Sequence, residues 1–111
     1  MAYEIEMIAD FRCRVGEGPL WDPKRQILNW TDIQTGRLFE YDPATGKSRK
    51  IYQGEYIGGT ANNKQGGFMV ASWSGIGLWR EGEDITYIHR GMLRGKNMQF
   101  NDVTAGPGGQ F

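Results

Sequence analysis

The chain alternates short apolar runs with clusters of turn residues, and no stretch of about 12 residues keeps an uninterrupted helical period. In the first half, strands are predicted over residues 27–32, 37–41 and 48–52, with turns at 34–36 and 42–46. The second half repeats this order, with strands over 68–73, 78–80 and 85–89 and turns at 74–77 and 81–84. The pattern predicts an all-β protein built from a repeated meander.

A fixed step of 42 residues separates Glu17, Gly59 and Asn101 along the chain. A period of about 40 residues with about four short strands per unit is typical of β-propeller blades. Such blades bury their faces against one another around a central axis. Equivalent positions on the innermost strands therefore face a common channel.

The repeat divides the chain into parts of one partial propeller domain, residues 1–111. Residues 16–56 are predicted as blade 1, 57–98 as blade 2 and 99–111 as the start of blade 3. A strand-like alternation from 3 to 11, within residues 1–15, is expected to complete the last blade. Because a propeller closes with roughly four to eight blades, the remaining blades must come from the same chain or from other chains. The position of Phe111 inside a predicted strand favours a part of a larger propeller over a short chain that self-assembles.

Charge and composition exclude several classes of partner. Thirteen Lys and Arg balance 13 Asp and Glu, so we expect neither nucleic acid nor a membrane surface as a partner. The N-terminal sequence lacks the basic region and apolar core of a secretion signal, which predicts a cytoplasmic protein. The single cysteine, Cys13, is predicted to be a partly buried thiol.

Two landmarks resemble one family. These are GEGPLWDPKRQILNWTDIQTGRLFEYDPATGK at 16–47 and FNDVTAGPGGQF at 100–111. Both are similar to segments that the regucalcin and gluconolactonase family, also called the senescence marker protein family, carries in this order and at about this separation. The resemblance covers the chain from about Cys13 onward and matches the N-terminal part of a family member. It implies a six-bladed propeller that hydrolyses sugar lactones with a divalent cation, most often Ca²⁺, with Zn²⁺, Mg²⁺ or Mn²⁺ as alternatives.

Glu17 is the predicted metal ligand. It begins an innermost strand between two glycines, and a carboxylate supplies the hard oxygen that Ca²⁺ or Mg²⁺ prefers. Asn101, two blades later, is implied by the resemblance to lie near the metal through water or to hold substrate. Asp102 is expected to orient backbone and ligands. Gly59, the equivalent position in blade 2, is expected to leave room for ligand.

Gln99 is a second predicted substrate contact. It stands where many family members have an arginine, so a neutral amide replaces a cationic guanidinium. A sugar-acid lactone that relies on that arginine should bind more weakly here, while neutral lactones or another ester could be accommodated. His89 is assigned no catalytic role. The four tryptophans are expected to pack between blades: Trp21, Trp30, Trp73 and Trp79.

The resemblance implies a metal that polarises the lactone carbonyl while a carboxylate activates water. No catalytic residue is assigned within the chain, because the base is expected beyond Phe111, and the 111-residue chain alone is expected to be inactive. A binding or scaffold propeller without catalysis stays an alternative, since fold does not fix function.

Overall fold

The computed structural model describes residues 2–91, 95 and 99–111, in which eight strands form two four-stranded antiparallel sheets. The first sheet, blade 1, contains β1 (Gly16–Asp22), β2 (Ile27–Asp32), β3 (Arg37–Asp42) and β4 (Lys47–Gln53). The second sheet, blade 2, contains β5 (Ile57–Asn62), β6 (Phe68–Ser72), β7 (Gly75–Trp79) and β8 (Thr86–Arg90). Helical structure in these residues is one 3-10 turn, Ile33–Thr35, and no helix among them is long and apolar enough to cross a membrane. The all-β prediction is confirmed.

The strand register reproduces the 42-residue step. Glu17 pairs with Thr31 across β1 and β2, and Gly59 pairs with Ala71 across β5 and β6. A register shift lies beside each pair, after Glu17 in β1 and at Gly58 in β5. Glu17 and Gly59 therefore occupy equivalent places on the innermost strands.

The turn predicted at 74–77 is wrong, because Gly75–Trp79 is a strand and only Trp73 and Ser74 connect β6 to β7. The glycines that suggested a turn serve close strand packing instead. A Cβ on Gly75 would lie 2.0 Å from the carbonyl oxygen of His89, and one on Gly77 would lie 2.7 Å from Ile85. Strand β8 can lie against β7 only where these side chains are absent.

An apolar cluster fills the space between the two sheets. Its buried members are Leu38 from blade 1 and Ile57, Phe68, Val70 and Trp79 from blade 2. Half-buried side chains surround them: Leu20, Ile51, Tyr52 and Ile85. Full burial of such side chains contributes about 1.5–3 kcal/mol each, so this contact dominates the association of the blades.

Polar contacts fix how β1 and β5 lie relative to each other. The Thr31 hydroxyl, at the end of β2, donates to the carbonyl of Ile57 at the start of β5, 2.8 Å away. At the opposite end, the Asn62 amide donates to the carbonyl of Trp21 at 3.2 Å. The innermost strands therefore run side by side in the same direction. We call the end at which both begin the Glu17 end.

Charged side chains connect strand β4 of blade 1 to the turn after β7 of blade 2. Arg49 on β4 makes a two-pronged contact with Glu81 in the turn after β7, at 2.7 and 2.9 Å, and its Nε atom lies 2.6 Å from Glu40. Both Arg49 and Glu81 are about half exposed, at 54% and 46% of the side chain. Water screens such a pair, so it adds much less than the apolar cluster.

The tryptophans divide into two groups. Trp79 packs between the blades as predicted, stacked on Phe68 of its own sheet and edge-on to Tyr52 of blade 1. Trp30 stacks on Phe39, on the face of blade 1 that points away from blade 2. Trp21 and Trp73 are 43% and 49% exposed and do not pack between blade 1 and blade 2, so their contact with other blades stays a prediction. Aromatic character alone did not indicate which rings would be covered.

The N-terminal segment, residues 2–13, lies outside any strand. Tyr3, Ile5 and Met7 are largely exposed, whereas Phe11 stacks on Phe39 with centroids 4.3 Å apart. Its predicted place in the last blade stays a prediction. Of blade 2 as predicted, residues 92–94 and 96–98 lie outside the described residues. His89 is exposed on the outermost strand, and Cys13 is half-buried as predicted.

A buried carboxylate fixes where β1 begins. Asp32, at the end of β2, is fully buried and accepts hydrogen bonds from the backbone N–H groups of Arg14 (3.1 Å) and Val15 (2.7 Å). The Thr35 hydroxyl and the Arg37 guanidinium complete its shell at 2.6 and 3.0 Å. Burial alone would raise the pKa of Asp32, but these donors outweigh it and lower the pKa to about 2.

The segment after blade 2 lies against β5. A Cβ on Gly58 would lie 1.9 Å from the carbonyl oxygen of Phe100, and one on Gly59 would lie 2.7 Å from the backbone nitrogen of Val103. Gly59 was expected to leave room for ligand, and this is wrong, because the backbone of Asp102 and Val103 takes the space. These glycines instead allow the next segment to approach the innermost strand.

The first prediction concerns Asp32. Because its pKa of about 2 lies below the reference value of 3.8, the carboxylate stabilises the fold by about 2 kcal/mol above pH 4, and this is lost as the pH falls from about 4 to 2. Asp32→Asn should lower the free energy of unfolding by at least about that amount at pH 7 and remove this part of the acid dependence. Urea unfolding at several pH values measures both. The control is Asp84→Asn, in an exposed turn; equal losses in the two variants would contradict the assignment.

The second prediction concerns Gly58. Gly58→Ala should push Phe100 and Val103 away from β5, at a cost of about 1–3 kcal/mol to their docking. The rate of chymotryptic cleavage after Phe100, mapped by mass spectrometry, should rise. Gly108→Ala is the control, because its Cβ would meet just the flexible side chain of Gln110. Unchanged cleavage in Gly58→Ala would show that the close approach does not hold the segment.

Candidate functional site

Glu17 is the second residue of β1 and is half-buried at the Glu17 end. Residues paired directly across an antiparallel ladder share a face, and Glu17 pairs with Thr31, which pairs with Leu38. Leu38 belongs to the cluster between the blades, but β1 shifts register directly after Glu17, and Glu17 lines a cavity of about 390 Å³ together with Leu28 and Trp30. Among the described residues, no ion pair engages its carboxylate.

The local sequence explains why the backbone that carries this carboxylate is held in place. Gly18 adopts φ +62°, which glycine tolerates without strain and which accompanies the register shift after Glu17. On the other side of Glu17, Asp32 holds the N–H groups of Arg14 and Val15, and Ile33 donates to the carbonyl of Val15 at 3.1 Å. The strand is thus fixed immediately before and after its acidic residue.

The other predicted site residues lie on the segment that follows blade 2. Gln99, Asn101 and Asp102 are all exposed and lie outside any strand. The Asp102 side chain accepts a hydrogen bond from the N–H of Val103 at 2.8 Å, which shapes the local backbone. The segment contacts β5 through Gly58 and Gly59. The convergence of Asn101 with Glu17 on the axis stays a prediction.

A divalent cation would find one hard oxygen donor here. The Glu17 carboxylate is available, half-buried and without an ionic partner in the described part of the chain, which fits one ligand of Ca²⁺ or Mg²⁺. Within residues 2–91, 95 and 99–111, no group of three or more His, Cys, Asp and Glu side chains comes together. Since Ca²⁺ takes about six to eight oxygens, further ligands must come from elsewhere.

A second carboxylate lies at the Glu17 end of blade 2, and the sequence pattern did not reveal it. Glu55 precedes β5 and accepts hydrogen bonds from the hydroxyls of Ser74 and Tyr87, while the Ser72 hydroxyl lies 3.1 Å from its Oε2 atom. Burial raises the pKa of Glu55, but the hydroxyls of Ser74, Tyr87 and Ser72 and the charge of Arg90 together lower it below its usual value. Glu55 is therefore ionised at neutral pH. Because its partners come from three separate elements, spacing along the chain could not indicate the cluster.

The two blades close the same junction in different ways. In blade 1, Ile33 donates to the carbonyl of Val15; in blade 2, Trp73 donates to the carbonyl of Tyr56 at 2.9 Å. The carboxylate belongs to the end of β2 in blade 1 and to the segment before β5 in blade 2. Equivalent backbone geometry thus carries different side-chain chemistry.

Comparison with known proteins places this arrangement in a family. Residues 15–111 match the model of the SMP-30/Gluconolactonase/LRE-like region. The chain is 33% identical to pentonolactonase XacC of Haloferax volcanii, over 96% of this chain and 36% of that protein. It is 35% identical to 6-deoxy-6-sulfogluconolactonase of Pseudomonas putida, over 87% of this chain and 34% of that protein.

Regucalcin of Xenopus laevis is 30% identical over 97% of this chain and 36% of its own length. The chain therefore spans about a third of the length of the curated relatives it matches. The family match begins just before β1, extends over both blades and includes the segment that contacts Gly58 and Gly59. The resemblance drawn from the two sequence landmarks is confirmed, and the chain belongs to the SMP-30/gluconolactonase/LRE-like family.

Proposed function

We propose that the intact protein is a metal-assisted hydrolase of sugar-type lactones and that this chain contributes Glu17 to its metal site. The observation that carries the proposal is the place of Glu17: it is fixed at the start of the innermost strand with no ionic partner in the described residues. Two relatives are named as lactonases, a pentonolactonase and a 6-deoxy-6-sulfogluconolactonase. Their names support a lactone as the substrate.

The reaction adds water to an internal ester. A bond forms between the water oxygen and the lactone carbonyl carbon, the ring C–O bond breaks, and the product is an open hydroxy acid. A bound divalent cation supplies positive charge near the carbonyl oxygen, where negative charge develops. Glu17 would hold that cation, and the blades that complete the propeller would supply its other ligands and the base that takes the proton from water and passes it to the released ring oxygen.

The segment after blade 2 contributes substrate contacts in this proposal. The Asn101 amide can donate to a lactone oxygen and accept from a sugar hydroxyl. Asp102, whose side chain accepts from the N–H of Val103, keeps the Asn101 backbone in place. Gln99 offers a neutral amide where a cation would favour an anionic sugar. These roles favour neutral sugar lactones.

The third prediction tests the metal site. In the intact protein, Glu17→Gln keeps the size of the side chain but removes its charge, so affinity for Ca²⁺ should fall at least about tenfold. Lactone hydrolysis should fall with it and should also be lost after chelation and return when cation is added. Calorimetric titration with Ca²⁺ and a proton-release assay measure the two effects. Glu83→Gln, in the exposed turn before β8, is the matched control.

Two outcomes would count against this function. Full activity in both Glu17→Gln and chelated wild-type protein would remove the metal from the reaction. Absence of turnover for every sugar lactone by cation-loaded wild-type protein would favour the binding or scaffold propeller.

The fourth prediction concerns Gln99. Replacing it with arginine adds a cationic fork, so Gln99→Arg should lower KM about tenfold for a lactone that carries a sulfonate or carboxylate and leave neutral lactones unchanged. Steady-state kinetics with matched charged and neutral lactones measure this. Gln65→Arg, in the turn before β6, controls for the added charge. An equal change for both classes of lactone would mean that Gln99 does not contact substrate.

A further inference from the structure

Two aromatic side chains stand exposed at the Glu17 end of blade 2. Tyr56 precedes β5 and Trp73 follows β6, and their rings meet edge to face with centroids 6.3 Å apart and an interplanar angle of 75°. Tyr56 is 44% exposed and Trp73 is 49% exposed. Together with Gly54 and Glu55 they line a cavity of about 330 Å³.

The backbone does not require aromatic residues at this junction. Blade 1 makes the same junction with Val15 and Ile33, and Ile33 is 1% exposed. At the equivalent position, blade 2 leaves half of an indole ring in solvent, where its burial contributes little to stability. The difference therefore points to a ligand-binding role for Trp73.

Glu55 lines this cavity beside the two rings. The Glu55 carboxylate is oriented by Ser74, Tyr87 and Ser72. An ionised carboxylate has about four acceptor positions, so three hydroxyls leave one free. The cavity therefore combines ring faces with one charged acceptor.

Sugars match this combination. A sugar ring has C–H groups on one face, which pack well against an aromatic ring, and hydroxyls at its edge, which donate to a carboxylate. The volume lies at the lower end of the roughly 300–1,000 Å³ range of small-molecule sites, as expected for a single sugar. The cavity also lies at the end of the blades where Glu17 begins β1.

We propose that Tyr56, Trp73 and Glu55 form a sugar subsite that holds the lactone substrate at the Glu17 end. The aromatic rings contact the C–H face of the sugar, and Glu55 accepts a hydrogen bond from a ring hydroxyl. The subsite rests on the proposed function in its choice of substrate. Its geometry depends on residues that do not touch the metal site.

Kinetics of the intact protein test the subsite. Because the platform binds the sugar equally before and during the reaction, Trp73→Ala should raise KM about tenfold while kcat changes by less than about twofold. Trp73→Phe, which restores a flat ring, should recover most of the affinity. Trp21→Ala is the matched control, because it removes an indole that is 43% exposed at the far end of β1. It should leave KM unchanged.

Equilibrium binding separates this inference from the proposed function. Calorimetry with the sugar acid product needs no turnover, and Trp73→Ala and Glu55→Gln should each weaken binding about tenfold, whereas Trp21→Ala should not. Binding that depends on Trp73 in a protein without lactonase activity would keep the subsite and reject the proposed function. Equal affinity in wild type, Trp73→Ala and Glu55→Gln, together with an unchanged KM in Trp73→Ala, would overturn the subsite even in an active lactonase, as would an absence of sugar-acid binding by the wild type.

Discussion

Leu38 of blade 1 and Ile57, Phe68, Val70 and Trp79 of blade 2 are buried against one another between the sheets. A single sheet cannot bury both of its faces, so each blade depends on its neighbours for stability. This contact brings β1 beside β5 and thereby sets where Glu17 lies relative to Gly59. The position of the candidate metal ligand is thus determined by apolar packing that does not include it.

Two carboxylates, one fully buried and one half-buried, then fix the segments that enter β1 and β5. Asp32 holds the segment that enters β1, and Glu55, from the segment that enters β5, is held by hydroxyls of Ser72 and its neighbours. Because backbone bonds close the junction in both blades, the side chains around it can differ without loss of fold. Blade 1 buries Ile33 there, and blade 2 exposes Trp73. Variation at the ends of rigid repeats is how such folds acquire specificity.

The sequence predicted the features that depend on periodicity and missed those that depend on contacts across the chain. The 42-residue step correctly paired Glu17 with Gly59, because equivalent ladder positions recur with the repeat. The step could not reveal that the backbone of Val103 fills the space beside Gly59. The glycines in β7 suggested a turn. They are needed for the close approach of β8, and a contact with another strand cannot be seen in the local sequence. Asp32 and Glu55 were missed since their partners are distant in sequence or on separate elements.

We propose that Glu17 binds a divalent cation where β1 begins. The most direct test is a crystal of the intact protein soaked in Ca²⁺, with anomalous scattering recorded at a long wavelength. We expect an anomalous peak about 2.3–2.6 Å from a carboxylate oxygen of Glu17. A Ca²⁺ peak in the channel beyond coordination distance of Glu17, with its carboxylate bound to another side chain instead, would contradict it.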